Sequence, residues 1–451
     1  MKKISVFLAV LIIVTGGAAG REAPAPEEGF LSLDPLLLEA RQNNPDIQAA
    51  FQAWQAAVSR APQASALPDP MLRYTLFGQS IETRLGPQRY KFSLAQTVPF
   101  FGKLPLKARI ADSESRVMES RYRGVMDDVL LGVKEKFFTL LWLDGTLNRL
   151  EEEKDVLGHL IRVATAGYEA GKAGQQDILK AQLELTRIQD RLLEMRQSRR
   201  AAAAQLNALL YRPSDQEIPS LEFAGELPDL GDREGLKAEA RANRPEIALV
   251  EHVISRDRHR LDLANKNFYP DFQVMVEYVD ISAGTSMDLR AGRDAWMASV
   301  GVTIPLWRGK LKAGRAEAET MLRSSRNTLA GVERRTEARV HELYDEIETA
   351  REQYGLYKKV LLPQAEQTLK ASEAGYRAGR VDFLTLLESQ RMILTIRTGI
   401  ARIYSEVWKG AARLERLIGR NLESISMEKR PLLASEEPDR DGVTTGEKND
   451  R

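Results

Sequence analysis

The amino-acid sequence predicts a mainly helical protein with a small β part, in which one structural unit occurs twice. Three observations lead to this prediction. Short motifs recur in the same order about 200 residues further along the chain. Long segments carry apolar residues at the alternating 3–4 spacing of coiled-coil helices, and four short segments alternate between apolar and polar residues, as strands with one buried face do.

The composition excludes several classes of protein. The 451 residues include 65 Lys and Arg and 64 Asp and Glu, so the chain lacks the basic excess of a nucleic-acid binder. The absence of cysteine excludes disulfides, thiolate metal sites and a lipid attached to Cys. His159, His252, His259 and His341 form no pair at helical i+3 or i+4 spacing, and no hydrolase triad, phosphate-binding loop or metalloprotease motif is found. We therefore expect neither an enzyme nor a bound metal or cofactor.

The first residues predict export from the cytoplasm. Lys2 and Lys3 precede an apolar run over residues 4–14, and small residues follow up to Gly20. This is the pattern of a signal peptide over residues 1–20, cleaved after Gly20. The alternative, a membrane anchor, is disfavoured because a spanning helix needs about 20 apolar residues. The Pro- and Glu-rich residues 21–29 predict a flexible arm.

The internal repeats define the organisation of the rest of the chain. We expect repeat 1 over residues 30–211, a proline-containing linker over 212–232, repeat 2 over 233–419, and a disordered polar tail over 420–451. Four pairs of segments carry this prediction: 43–47 and 243–247, 68–69 and 270–271, 98–99 and 304–305, and 167–172 and 375–380.

Each repeat is expected to contain a pair of long helices. Apolar stripes with the period of a coiled-coil seam run over residues 178–209 and 386–417, interrupted by Arg199, Ser389 and Gly410. A preceding helix over about 104–166 would be ~95 Å long at 1.5 Å per residue, which exceeds a compact domain. Helices of this length must pack side by side in a rod or tube. Pro363 is expected to bend the equivalent helix of repeat 2.

Four strands of about nine residues are expected, each with one apolar face. They cover about 70–78, 89–98, 271–280 and 296–304, joined by polar hairpins at 78–88 and 281–295. Their length matches strands that cross an outer membrane, and Tyr90, Tyr278 and Trp296 stand near strand ends, as interfacial aromatic residues do. The other interpretation is a soluble hairpin on a helical scaffold.

Four strands cannot close a barrel within one chain. Unpaired peptide groups in hydrocarbon cost several kcal/mol each, so copies of the chain must share a barrel. Two copies would supply about eight strands and three about twelve, and a polar lumen favours the larger number. Because the helices leave the strands at one end, they project together into one compartment. The residues thus predict a short membrane barrel continued by a helical tube.

The sequence resembles the TolC family of outer-membrane efflux proteins over about residues 31–419. The motifs that carry this resemblance are the duplicated Asn-x-Pro-(Asp/Glu)-Ile segments and residues 96–103, 375–379 and 386–390. Residues 67–72, together with the Pro-Phe-Phe-Gly-Lys segment, look most like the heavy-metal-efflux (CzcC-like) branch.

The resemblance implies a homotrimer in the outer membrane of a Gram-negative bacterium, with a twelve-strand barrel in lipid and an α-helical tunnel in the periplasm. It implies two partners, a periplasmic adaptor and an inner-membrane pump that is often of the RND type. The chain would be a passive, gated duct for small solutes such as heavy-metal cations or drugs. A protein-secretion channel of the type I kind and a periplasmic coiled-coil adaptor or scaffold are the alternatives.

The resemblance also implies a periplasmic gate on the helix that follows the second Gly-Tyr motif. Tyr376 matches the family's gate tyrosine, the position of the gate arginine holds Val381 with Arg380 beside it, and two ring positions hold Thr385 and Glu388. One acidic ring is therefore missing. A ring of Glu388 would attract cations at a narrow entrance, whereas a solvated coil residue is the alternative role. The equivalent positions of repeat 1 are Tyr168, Asp177 and Lys180.

Overall fold

The computed structural model describes residues 32–171, 174–222, 226–285, 287 and 289–422. The predicted signal peptide, the predicted arm at 21–29 and the tail from residue 423 lie outside these residues.

Each half of the chain consists of helices, then two strands, then long helices, although one helix of each half is divided in two relative to the other. The first half contains α1 (Leu33–Asn43), α2 (Pro45–Val58), α3 (Arg60–Ser65), β1 (Met71–Thr83), β2 (Gly86–Val98), α4 (Lys103–Glu169) and α5 (Gln175–Leu209). The second contains α6 (Arg233–Asn243), α7 (Pro245–Lys266), β3 (Asp271–Ile281), β4 (Ala295–Thr303), α8 (Arg308–Leu356), α9 (Leu362–Arg377) and α10 (Phe383–Ile418). The duplication predicted from the motifs is therefore present in the fold.

The Asn-x-Pro motif closes each repeat on itself. The Asn44 side chain caps α2 by accepting hydrogen bonds from the backbone N–H groups of the next turn, and its amide nitrogen donates to the carbonyl of Leu209 at 2.9 Å. In the second copy Arg244 stands at the position of Asn44, and the preceding Asn243 donates its side-chain amide to the carbonyl of Ile418 at 3.2 Å. The motif thus joins the first helices of a repeat to the end of its last helix.

The long helices differ between the copies. Helix α4 runs unbroken for 67 residues, about 100 Å at 1.5 Å per residue. Its counterpart is interrupted by a π-helical turn over Tyr357–Leu361, directly before Pro363. Pro363 has no N–H to donate to the preceding turn, so the helix inserts this turn where a bend was expected. Among the described helices, none carries an apolar segment of the length that a bilayer crossing requires.

The core is a series of helix–helix seams rather than one globular centre. Helix α4 packs against α5, α7 and α10 along its length. Phe138 of α4 and Trp408 of α10 stack with ring centroids 5.5 Å apart where the two repeats meet. Leu422, which lies in the segment predicted as tail, is only 3% exposed and packs among the residues at the end of α10.

The strands form one antiparallel sheet in the order β1-β2-β3-β4. The predicted hairpin over residues 78–88 is wrong: β1 and β2 continue through most of it, pairing Ile81 with Gln88 and Thr83 with Gly86. Gly86 has φ of +123°, which allows the tight turn, and Thr83 donates a hydrogen bond to its carbonyl. The turn end of the β1–β2 hairpin is polar because it lies beyond the apolar part of the sheet, where a strand needs no apolar face.

Candidate functional site

One face of the sheet is apolar and exposed in the single chain. The register places the side chains in rows across all four strands, of which one consists of Leu72, Leu94, Val276 and Ala298, and the next of Tyr74, Phe92, Tyr278 and Trp296. All but Ala298 are large apolar or aromatic side chains that lie open to solvent, up to 77% exposed at Trp296. An apolar surface of this extent, bounded by an aromatic row, is typical of contact with lipid.

The opposite face of the sheet is mostly polar. One row across the strands there consists of Arg73, Ser93, Glu277 and Met297, and Lys91 of β2 forms an ion pair with Glu277 of β3 at 2.9 Å. Gln96 is the polar exception on the apolar face, and its amide donates to the carbonyl of Pro68 at 2.7 Å. The alternation between faces is that of a membrane strand whose other side lines a wet lumen.

A buried lysine joins the sheet to the helices. Lys103, the first residue of α4, donates to the Asp271 carboxylate at 2.8 Å and to the Tyr269 carbonyl at 3.1 Å. The same carboxylate accepts the Phe100 N–H at 2.7 Å, and the Phe100 and Tyr269 rings stack at 4.6 Å. The Pro-Phe-Phe-Gly-Lys segment of repeat 1 therefore fixes the angle between strands and helices through a residue of repeat 2.

The sheet and the helical layer next to it have matching open edges. Helix α3 packs on α4, α4 on α7 and α7 on α8, which is the order of the strands to which these helices connect. Within the described residues, β1 and β4 each pair on one side only. Both layers consequently end at the same two sides of the molecule.

The two Gly-Tyr motifs form the ends of the helical hairpins. Gly379 has φ of +69° and Gly171 has φ of +68°, so each ends its helix in the left-handed conformation. Gly375 has a different role, because a Cβ there would lie 2.5 Å from Cγ2 of Val381. Val381, at the position assigned to the gate arginine, thus packs against the end of α9, the helix that precedes it.

The structure brings three of the predicted gate residues together at the contact between the two hairpins. Tyr376 is partly buried, and its ring lies 5.7 Å from that of Phe383. Burial, and then the negative charge of Asp177 in the other hairpin, raise the pKa of Tyr376 above its ordinary value. Hydrogen bonds from Thr385, and then the positive charge of Lys180 in the other hairpin, lower the pKa of Asp382.

The remaining predicted residues do not join this contact. Thr385 donates its backbone N–H to the Asp382 carboxylate at 3.0 Å, so it belongs to the cap of α10. Glu388 is exposed on α10, whereas Leu387 before it and Ser389 after it are buried. Arg380 and Tyr168 lie exposed at the ends of the hairpins.

Two further residues were not predicted. Asp382 caps α10, and hydrogen bonds from Thr385 are the main cause of its lowered pKa. An Asp directly before an apolar helix is a recognisable capping signal, so the sequence contained this information. Arg391 of α10 forms an ion pair with Glu184 of α5, a contact that no local pattern indicates. Both residues strengthen the contact between the hairpins.

Comparison with known proteins identifies the family. The model of the family described as outer membrane efflux protein matches residues 36–210 and 236–420. The cobalt-zinc-cadmium resistance protein CzcC of Cupriavidus metallidurans is 24% identical over 410 residues, covering 88% of this chain and 92% of that protein. The alkaline protease secretion protein AprF of Pseudomonas aeruginosa is 20% identical over 402 residues, covering 83% and 82%.

Solved structures share the fold. The structure of CusC superimposes with a TM-score of 0.74 at 17% identity, covering 87% of this chain and 93% of that one. VceC of Vibrio cholerae gives 0.71 at 16% identity, covering 87% and 97%. These matches confirm the predicted resemblance and fold class, and the chain belongs to the outer membrane efflux protein family.

Proposed function

We propose that three copies of this chain form a passive, gated duct through the outer membrane. The duct carries small solutes from the periplasm to the exterior, as the outermost part of an assembly with a periplasmic adaptor and an inner-membrane pump of the RND type. The observation that supports this most directly is a sheet with an apolar outer face, a polar inner face and two open edges.

The open edges require further copies of the chain. In lipid each unpaired backbone group on β1 or β4 would cost several kcal/mol, and pairing β4 of one copy with β1 of the next satisfies them. The same rotation brings α8 of one copy beside α3 of the next, because the helices follow the order of the strands. Three copies give twelve strands and a lumen that the polar face can line.

Heavy-metal cations are the cargo that the comparisons favour. A relative that covers most of both chains is named as a cobalt-zinc-cadmium resistance protein. Within the described residues no group of three or more potential ligands stands ready to hold a metal ion, which suits a duct that lets its cargo pass. Secretion of a protein is the second candidate, supported by the similarity to AprF. A periplasmic scaffold is disfavoured by the exposed apolar sheet.

The contacts between the hairpins are the proposed gate. Tyr376 meets the first hairpin near Asp177, Lys180 faces Asp382, and Arg391 pairs with Glu184. Together they hold the α9–α10 hairpin against the α4–α5 hairpin and keep the mouth narrow. Three copies of the exposed Glu388 then form a ring that attracts cations.

Planar bilayers test the duct and the ring together. The full chain is expected to run as a trimer in detergent and to give single-channel currents with cation preference. Glu388→Gln is expected to reduce that preference and to weaken block by divalent cations. Glu406→Gln is the matched control, because Glu406 is also exposed on α10 but lies 18 residues away, about 27 Å at 1.5 Å per residue. A monomer without current contradicts the duct, and equal selectivity in both variants contradicts the ring.

A further inference from the structure

A group of basic side chains lies where the helices begin, directly after the strands. This basic collar consists of Arg308, Lys310, Lys312 and Arg315 on α8, with Lys107 and Arg109 on α4. Residues 304–316 and 102–111 contain no Asp or Glu. Lys103 is not part of the collar, because it is buried against Asp271.

The collar continues the surface that faces lipid. After the apolar outer face of β4 come Leu306 and Trp307, the latter 80% exposed, and then Arg308. In repeat 1 the exposed Phe101 stands in the same place before α4. The order from the membrane outwards is therefore apolar, aromatic and basic, as in interfacial regions of membrane proteins. At 1.5 Å per residue, Arg308 to Arg315 span about 10 Å, comparable to a headgroup layer.

Nothing in the described part of the chain neutralises the charges on α8. All four basic side chains are exposed, and none has an ion-pair or hydrogen-bond partner among the described residues. Basic residues further along the same helix differ, since Arg323 pairs with Glu319 at 3.6 Å and Arg334 with Glu337 at 2.9 Å. The missing acids are thus a property of the helix start.

The folding of α8 does not explain the collar. The start of a helix carries a partial positive charge from its free N–H groups, so acidic side chains stabilise it and basic ones destabilise it. Neither α4 nor α8 has an acidic residue in its first turn. Arg308 and Lys310, in the first turn, therefore oppose the local helix dipole, and an anionic partner outside the chain would offset their charge.

We propose that the basic collar binds the headgroups of anionic phospholipids in the periplasmic leaflet of the outer membrane. Continuity with the lipid-facing sheet and complementary charge select this partner. Arg308 and Arg315 can hold a phosphate with two parallel N–H donors, whereas Lys310 and Lys312 act as point charges. This inference rests on the proposed function for the placement of the sheet in the membrane.

Native mass spectrometry of the detergent-solubilised full chain tests the collar. Phosphatidylglycerol and phosphatidylethanolamine with identical acyl chains are titrated separately onto the wild type and two variants. One variant combines Arg308→Gln, Lys310→Gln and Lys312→Gln. The control combines Arg326→Gln, Arg334→Gln and Arg335→Gln, an equal loss of charge further along α8 from exposed side chains.

The wild type and the control are expected to bind phosphatidylglycerol at least about tenfold tighter than phosphatidylethanolamine, since each basic residue near an anionic lipid surface contributes roughly fivefold. The collar variant keeps three of the six basic residues, so its preference is expected to fall, by roughly fivefold for each charge removed, without vanishing. A wild type without preference, a collar variant that keeps the full preference, or a control that loses it overturns the inference. A collar variant that weakens the trimer while keeping the lipid preference also overturns the inference, since the collar's basic side chains then pair with a neighbouring copy of the chain.

Bilayer currents from the same preparations separate this inference from the proposed function. A wild type that conducts but shows no lipid preference overturns the collar alone. A wild type that neither inserts nor conducts contradicts the proposed function, and with it the inference about the collar, which depends on that function.

Discussion

Glu153 of α4 is a buried carboxyl group without a partner. It is 9% exposed, makes no hydrogen bond or ion pair with the described residues, and lines a groove of about 460 Å³ between α4, α9 and α10. Burial, and then the negative charge of Glu184, raise its pKa to about 7, while Arg397 acts in the opposite direction. We therefore predict that Glu153→Gln stabilises the protein in a manner that depends on pH.

The sign and size of the effect follow from proton linkage. The ordinary pKa of the carboxyl is 4.5, so between pH 4.5 and about 7 the folded state holds more protons than the unfolded state. The free energy of unfolding of the wild type then falls as the pH rises, by up to ~3 kcal/mol at 1.36 kcal/mol per pH unit. Glutamine stays neutral, so the variant gains up to ~3 kcal/mol over the wild type at pH 8 and almost nothing at pH 4.5.

Unfolding in guanidinium chloride, followed by the helical circular dichroism signal at several pH values, measures this difference. Glu152→Gln is the control, because Glu152 is exposed and forms only a surface ion pair with Arg149 at 2.8 Å. The control is expected to stay within about 0.5 kcal/mol of the wild type at every pH. A gain in stability for Glu153→Gln that is equal at pH 5 and pH 8, or a loss of stability at pH 8, contradicts the raised pKa of Glu153.

Two further pairs of substitutions test buried contacts. Lys134 and Glu415 form a buried ion pair at 2.6 Å. Lys134→Met is expected to lower the free energy of unfolding by ~3–5 kcal/mol, because it leaves a buried carboxylate without a partner. Adding Glu415→Leu is expected to restore most of that stability. Unfolding of both variants checks this, and a double variant as unstable as the single one contradicts it. Gly375→Ala places a Cβ against Val381 and is expected to lower the free energy of unfolding by ~1–3 kcal/mol and to expose the hairpin end to protease. Adding Val381→Ala in the same chain is expected to reverse both effects. An equal cleavage rate in wild type and Gly375→Ala contradicts this prediction.

The sequence predicted the helical seams well because their pattern is periodic, but it did not explain their interruptions. Arg199 interrupts the first stripe and reaches the buried Asp144 of α4. Ser389 interrupts the second, where its hydroxyl contacts a serine of α9 at 2.9 Å. Gly410 lies so close to Ile347 that a Cβ would be 2.7 Å from Cγ1. Each exception depends on a residue distant in sequence.

The candidate gate was predictable only in part, for the same reason. The motif resemblance identified Tyr376, Asp177 and Lys180, and the structure places them at one contact between the hairpins. The resemblance gave no partner for Lys180, because Asp382 acquires that role only when two hairpins fold against each other. Strand lengths were missed for a different reason, since beyond the lipid a strand loses the alternation that reveals it.

The interrupted helix of repeat 2 makes the helical hairpins of the two repeats different, which bears on why both repeats lie in one polypeptide. A duct assembled from separate single-repeat polypeptides would contain either one kind of hairpin throughout or two kinds in random proportions. Covalent fusion fixes their ratio at one to one in every copy of the chain. The hairpin built on the unbroken α4 and the one carrying the π-helical turn at Tyr357–Leu361 can therefore accumulate different substitutions without either being lost.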